Sequence, residues 1–336
     1  FASRIRASQT EKLNANAPAW KRRIRDELQM PASWQETDNG FAVTLRALES
    51  GAEILLILVL VARSTSFVMS KVTMNAMNPF NLLGVRFLLA FLLLCIPFGK
   101  RLVKIKKQTL LKGLLVGLAF FCVMTAELFT LRLTASSTSS FLENMAIVFV
   151  PIFEAVLLRR LPAKYSVAGV LISMTGIGFL TLEGGRIALG TGELIGILSG
   201  ILYAVAIIIT DRLSHNDDSL LIGMVQVGTI GALGMIASFL FEQPTLPQGQ
   251  TSWLMVIYLA VVCTGFGFTL QPVAQSRLTA ERAGLLIAVS PVSSAIMGSI
   301  FLKEHLGISG MIGAILVVGG IIISKDPFHK KAQVSS

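Results

Sequence analysis

The sequence predicts an all-α integral membrane protein, with about ten transmembrane helices arranged as two inverted five-helix repeats. Three observations predict it. Hydrophobic residues make up 53% of the chain and charged residues only 14%, with a mean hydropathy of +0.72, whereas a soluble domain carries about a quarter charged residues. The stretch Gly99 to Lys112, GKRLVKIKKQTLLK, packs six basic side chains between two long apolar runs. Such a loop stays on the cytoplasmic side of a bilayer, because moving its charge across is costly. The third observation is that the chain repeats itself, imperfectly, after five apolar runs.

A hydrocarbon core about 30 Å thick takes roughly 20 helical residues to cross. That length fits Ala52–Val72, Pro79–Phe98, Leu110–Thr130, Ser137–Leu158, Tyr165–Leu182, Thr191–Thr210, Ser219–Phe241, Trp253–Val273, Ala283–Leu302 and Gly307–Ser324. Their continuous apolarity, without alternation, argues for helices rather than a barrel. Residues 1–51 form a polar tail, basic early at Lys21, Arg22, Arg23 and Arg25. Without a short apolar region and small-residue cleavage site, it reads as a cytoplasmic tail lying partly on anionic lipid, with an organelle transit peptide as the alternative. Residues 325–336 form the second tail. With the amino terminus inside, the inner loops hold twelve Lys and Arg and the outer loops three, Arg132, Arg186 and Lys303. Both termini are therefore expected in the cytoplasm, the protein being multi-pass in a plasma (bacterial inner) membrane.

The net charge of +10 follows from that topology and not from nucleic-acid binding, since the basic residues sit in tails and alternate loops. Cys95, Cys122 and Cys263 all fall inside apolar runs and read as small core residues. His215, His305 and His329 are dispersed over loops and tail, and no HExxH, CxxC or GxSxG occurs. No catalytic residue, metal or cofactor is expected, and the chain is not read as an enzyme.

The repeat pairs two sets of features. Thr134 and Ala135 lead into a span with Pro151, then Arg159 and Arg160, then a span with Gly169 and Gly176. Thr279 and Ala280 lead into a span with Pro291, then Lys303 and Glu304, then a span with Gly313 and Gly320. An odd number of spans per unit forces opposite orientations, and a substrate site near the midplane follows. Pro151 and Pro291 lack an amide hydrogen, giving matched spans a kink, a bare carbonyl acceptor, or both. Gly192, Gly196 and Gly200, like Gly113 and Gly117, recur every four residues and let helix backbones approach closely.

Four pieces then carry a family resemblance: STSFVMSK at Ser64–Lys71, PFNLLGVRFLLAFLLL at Pro79–Leu94, TASSTSSFLENMAIVFVP at Thr134–Pro151 and FLKEHLGISGMIGAILVVGG at Phe301–Gly320. In this order and spacing the chain resembles the EamA-type permeases of the drug/metabolite transporter superfamily, from Ala52 to Ser324. The resemblance implies two five-helix repeats, residues 52–182 and 191–324, and the export of small organic metabolites such as amino acids. The chain departs from the family in having Ala62 and Arg63 where a Trp-Gly pair is usual.

Charge inside a membrane asks for a partner or a purpose. Arg63, Arg86 and Glu143 fall at comparable depth along their spans, and Glu127 lies toward the outer end of the third. They read either as a structural ion-pair cluster within the first repeat or as a cationic site for a carboxylate-bearing metabolite with Glu143 as a proton-titrating partner. Asn144, Gln226, Gln271 and Ser290 are the neutral candidates for the substrate pathway. The chain is thus read as a secondary carrier working by alternating access, with a small-molecule substrate, the lipid bilayer, a coupled proton and a homodimer among its partners. Proton-coupled efflux of lipophilic cationic drugs is one alternative. A membrane scaffold or lipid-handling protein without a solute pathway is the other.

Overall fold

The computed structural model describes residues 39–134, 136–159, 164–181, 190–215, 217–290, 292–293 and 308–324. Its regular elements are all helical: α1 Asn39–Thr73, α2 Pro79–Val103, α3 Lys107–Leu133, α4 Ser136–Asn144, α5 Ala146–Leu158, α6 Lys164–Thr181, α7 Thr191–Ser214, α8 Ser219–Phe241 and α9 Gly249–Tyr258. A π-helical segment, Leu259–Phe268, then runs into α10 Thr269–Gln275, and α11 Ala280–Leu286 and α12 Ile308–Ser324 complete the order. Among the described residues six helices are long and apolar enough to cross a membrane: Gly51–Thr73, Pro79–Val103, Lys107–Leu133, Thr191–Ser214, Ser219–Phe241 and Gly249–Gln275. The protein is a multi-pass membrane protein. Pro291, half of the expected ninth span and both chain ends lie outside the described residues.

Three elements differ from the expected spans. Helix α1 is described from Asn39, ahead of Ala52, while its membrane-length apolar stretch, Gly51–Thr73, agrees with the expected first span. The fourth span is two helices, broken at Met145 ahead of Pro151, which sits buried inside α5. The eighth span widens to π geometry over ten residues that include Gly265 and Gly267. Pro272, just beyond, cannot donate to the carbonyl of Phe268 and its ring crowds that oxygen, which removes an α-helical bond where the wide turns end.

Glycine sets the interhelical distances. Gly84 of α2 and Gly234 of α8 face each other, and a Cβ at either would stand 2.8 Å from a backbone nitrogen of the other helix. Gly113 and Gly117 of α3 take Val225 and Thr229 of α8, while Gly196 and Gly200 of α7 admit Leu142 of α4. These are close approaches only hydrogen permits. Large side chains on the outer surface, such as Leu240 at 70% and Phe241 at 75% exposure, are the surface that lipid covers.

Polar ties close both ends of the α2–α8 pair. At the basic end Arg101 Nη2 meets Asp218 Oδ2 at 2.7 Å, and Asp217 takes Lys112 Nζ at 3.2 Å and the Thr109 hydroxyl at 2.6 Å. Burial opposes ionisation of Asp217, but the Thr109 hydroxyl, the Asp218 amide and Lys112 outweigh it and hold this carboxyl below its ordinary range. At the other end the Glu242 carboxylate accepts the Phe80 and Asn81 amides at 3.1 and 2.9 Å. An anion there satisfies the bare donors of the α2 amino terminus.

Candidate functional site

Where the first and second halves of the chain meet, a chamber is lined by Arg63, Ser66, Glu127, Glu143, Asn144, Tyr203 and Ser290, with Leu60, Phe67, Met124 and Phe268 as its apolar walls. About 10 Å³ of it is open to the centre of a water-sized sphere, room for roughly one water molecule. The chamber is small.

Arg63 is its cationic centre. Gly267, in the π-helical segment, lies so close that a Cβ would stand 2.8 Å from the Arg63 Cγ. From there Nη1 donates to the Tyr203 hydroxyl at 3.0 Å and to Gln271 Oε1 at 2.7 Å. The guanidinium lies 4.1 Å from the centre of the Phe268 ring and 5.3 Å from that of Tyr203, a stacking that lysine reproduces poorly. Phe268 is itself held edge-on by Phe87 and Phe120, at centroid distances of 5.0 and 5.7 Å. Among the described residues only Nη1 of the guanidinium has hydrogen-bond partners, so the remaining donors are left for the chamber.

Arg86 is held outside the chamber. Its Nε donates to Thr264 at 2.6 Å and its Nη1 to Ser70 at 3.3 Å, while Nη2 is buried without a partner among the described residues. Neither arginine makes a direct ion pair with a carboxylate among the described residues. Apart from Ser70, the hydrogen-bond partners of both come from the second half: Tyr203, Thr264 and Gln271.

Glu127 and Glu143 line the chamber together with Arg63. Glu127 is deeper than its sequence position suggests, because α3 runs on to Leu133. One Glu143 oxygen, Oε2, has no partner among the described residues. Asn144 turns its amide nitrogen back to the Ser140 carbonyl at 2.6 Å and leaves Oδ1 likewise unpartnered. Ser290 meets Ser64 at 3.1 Å. Gln226 is fully buried, neither amide atom having a partner among the described residues, and it does not line the chamber.

Tyr203, Gly267, Phe268 and Thr264 are absent from the sequence-based candidates. Tyr203 carried a signal, since a hydroxyl near the middle of an apolar helix requires a partner. Replacing Gly267 with alanine is expected to push Arg63 off Gln271 and slow transport about tenfold, the worth of one charge-assisted hydrogen bond. Gly319→Ala, whose Cβ meets nothing within 4 Å, serves as the control and should transport normally in the same vesicle assay.

A profile of the EamA-like transporter family matches residues 50–182 and again residues 190–325. An uncharacterized transporter of Archaeoglobus fulgidus is 25% identical over 292 residues, covering 84% of this chain and 100% of its own. The uncharacterized transporter YetK of Bacillus subtilis is 26% identical, covering 82% of this chain and 87% of its own. A solved protein crystal structure superimposes with a TM-score of 0.68 at 19% identity, over 85% of this chain and 99% of the other.

Proposed function

The chain belongs to the EamA-like transporter family, and from that premise we propose a secondary carrier that exports small organic metabolites, amino acids foremost, by alternating access. The observation that carries this reading is the chamber between the halves, which brings one arginine, two carboxyls and the neutral polar side chains of Ser66, Asn144, Tyr203 and Ser290 to a single small space. A charged chamber between two repeats is where such a cycle places its solute site, since each half can then expose it to one side in turn. The twofold match of one family profile supports a duplicated chain, which this reading divides into inverted five-helix repeats over residues 52–182 and 191–324, taking residues 1–51 and 325–336 as cytoplasmic tails in a bacterial inner membrane.

In this reading Arg63 presents its free guanidinium donors to a carboxylate, and the Glu127–Glu143 pair carries the coupled proton. Two carboxyls lining one small chamber beside a single arginine repel one another when both are ionised, so the pair can hold one proton and release and regain it as the chamber changes sides. Efflux of lipophilic cations fits less well, since the aromatic faces such a cation would use are already covered by Arg63. In proteoliposomes with an imposed proton gradient, Glu143→Gln is expected to transport at the rate seen without a gradient. Unchanged acceleration by the gradient would remove the proton role from Glu143.

A further inference from the structure

A groove of about 480 Å³ runs along the outside of the bundle between α2 and the π-helical segment, walled by Ala90, Leu94 and Phe98 on one side and Val261, Gly265 and Leu270 on the other. Apart from the hydroxyl of Thr269 its lining is hydrocarbon and backbone. We propose that it is a binding site for an anionic phospholipid, one acyl chain lying in the groove and the headgroup at its basic mouth. From Ala90 to Phe98 the helical rise gives about 12 Å, close to the roughly 15 Å of one leaflet's hydrocarbon. The groove therefore spans a single leaflet and ends where the polar headgroups begin.

The mouth is cationic on both walls. On α2 the face formed by Ala90, Leu94 and Phe98 continues by helical register to Arg101, whose guanidinium uses one nitrogen for Asp218 and is otherwise exposed. On the facing wall the register of Leu270 continues to Arg277, exposed at the turn beyond α10 and with no ion pair among the described residues. Lys100 and Lys104, also exposed, flank Arg101 along the chain. The acids at the amino end of α8, Asp217 and Asp218, are already paired with Lys112 and Arg101. Cations at the end of a leaflet-length groove favour a negative headgroup over a zwitterionic one.

The test uses the full chain, stripped of lipid in neutral detergent and offered phosphatidylglycerol and phosphatidylcholine of identical acyl chains in equal amounts, with native mass spectrometry as readout. The wild-type chain should retain phosphatidylglycerol over phosphatidylcholine about tenfold. Arg101→Gln with Arg277→Gln should abolish the preference while keeping a bound lipid, and Val261→Trp, which fills the groove, should lose both lipids. Arg277→Gln alone, at an exposed position that leaves the Arg101–Asp218 pair intact, should weaken the preference. Equal retention of the two lipids by the wild-type chain, a preference untouched by these substitutions, or a dimer that binds no lipid would each overturn the proposal.

Discussion

Arg63→Ala is expected to cut the initial rate of transport about a hundredfold or more, the consequence of losing two buried hydrogen bonds from a charged group, each worth about 1.5–3 kcal/mol. The substitution removes the one cation that lines the chamber among the described residues. It also strips the Gln271 carbonyl and the Tyr203 hydroxyl of their donor, and leaves Glu127 and Glu143 without their positive neighbour. Arg63→Lys should recover little, because an ammonium cannot serve two acceptors in fixed geometry while lying flat on Phe268. Rates in proteoliposomes, normalised to protein that runs as a monodisperse peak, read this directly. A rate for Arg63→Ala within about threefold of wild type would contradict the role assigned to this residue.

The second large effect is on stability. Gly84→Ala and Gly234→Ala each place a methyl group 2.8 Å from backbone of the opposing helix, and backbone cannot rotate away as a side chain can. Each should destabilise the folded protein by about 1–3 kcal/mol through overpacking. Because both methyls force apart the same pair of helices, the double variant should cost less than the sum of the two. The polar ties at both ends of the pair, Arg101 with Asp218 and Glu242 with Phe80 and Asn81, resist the sliding that would relieve the clash. Denaturation in detergent, followed by fluorescence of an added thiol probe at buried Cys263, measures the change. Unaltered stability in both variants would show that the two backbones are not in contact.

Much of this architecture is readable in the residues themselves. Apolar length locates the six spans seen among the described residues, since the bilayer imposes one thickness on all of them. The small-residue rows, Gly113 with Gly117 and Gly192 with Gly196 and Gly200, point to close helix pairs because lipid offers no other reason for such a face. Of the polar candidates, Arg63, Glu127, Glu143, Asn144 and Ser290 fall on the lining of one chamber. What the sequence leaves hidden is who meets whom. The arginines take hydroxyl and amide partners from the second half, where sequence reasoning considered ion pairing within the first repeat. That choice depends on how helices far apart in sequence pack, and no local pattern encodes it. Gln226, equally polar and equally buried, falls outside the chamber for the same reason. The π-helical segment is hidden too: Gly265 and Gly267 look like ordinary packing residues until Pro272 and the guanidinium of Arg63 are placed beside them.

Alternating access requires a chamber that faces first one side of the membrane and then the other. With Cys95, Cys122 and Cys263 replaced by serine, Ser66→Cys and Ser290→Cys put one thiol on each half of its lining. A membrane-impermeant thiol reagent applied to either face of oriented vesicles should label both thiols, more slowly in the presence of a saturating transported solute. Labelling from neither face, or from one face alone whatever the imposed gradient, would contradict alternating access through this site.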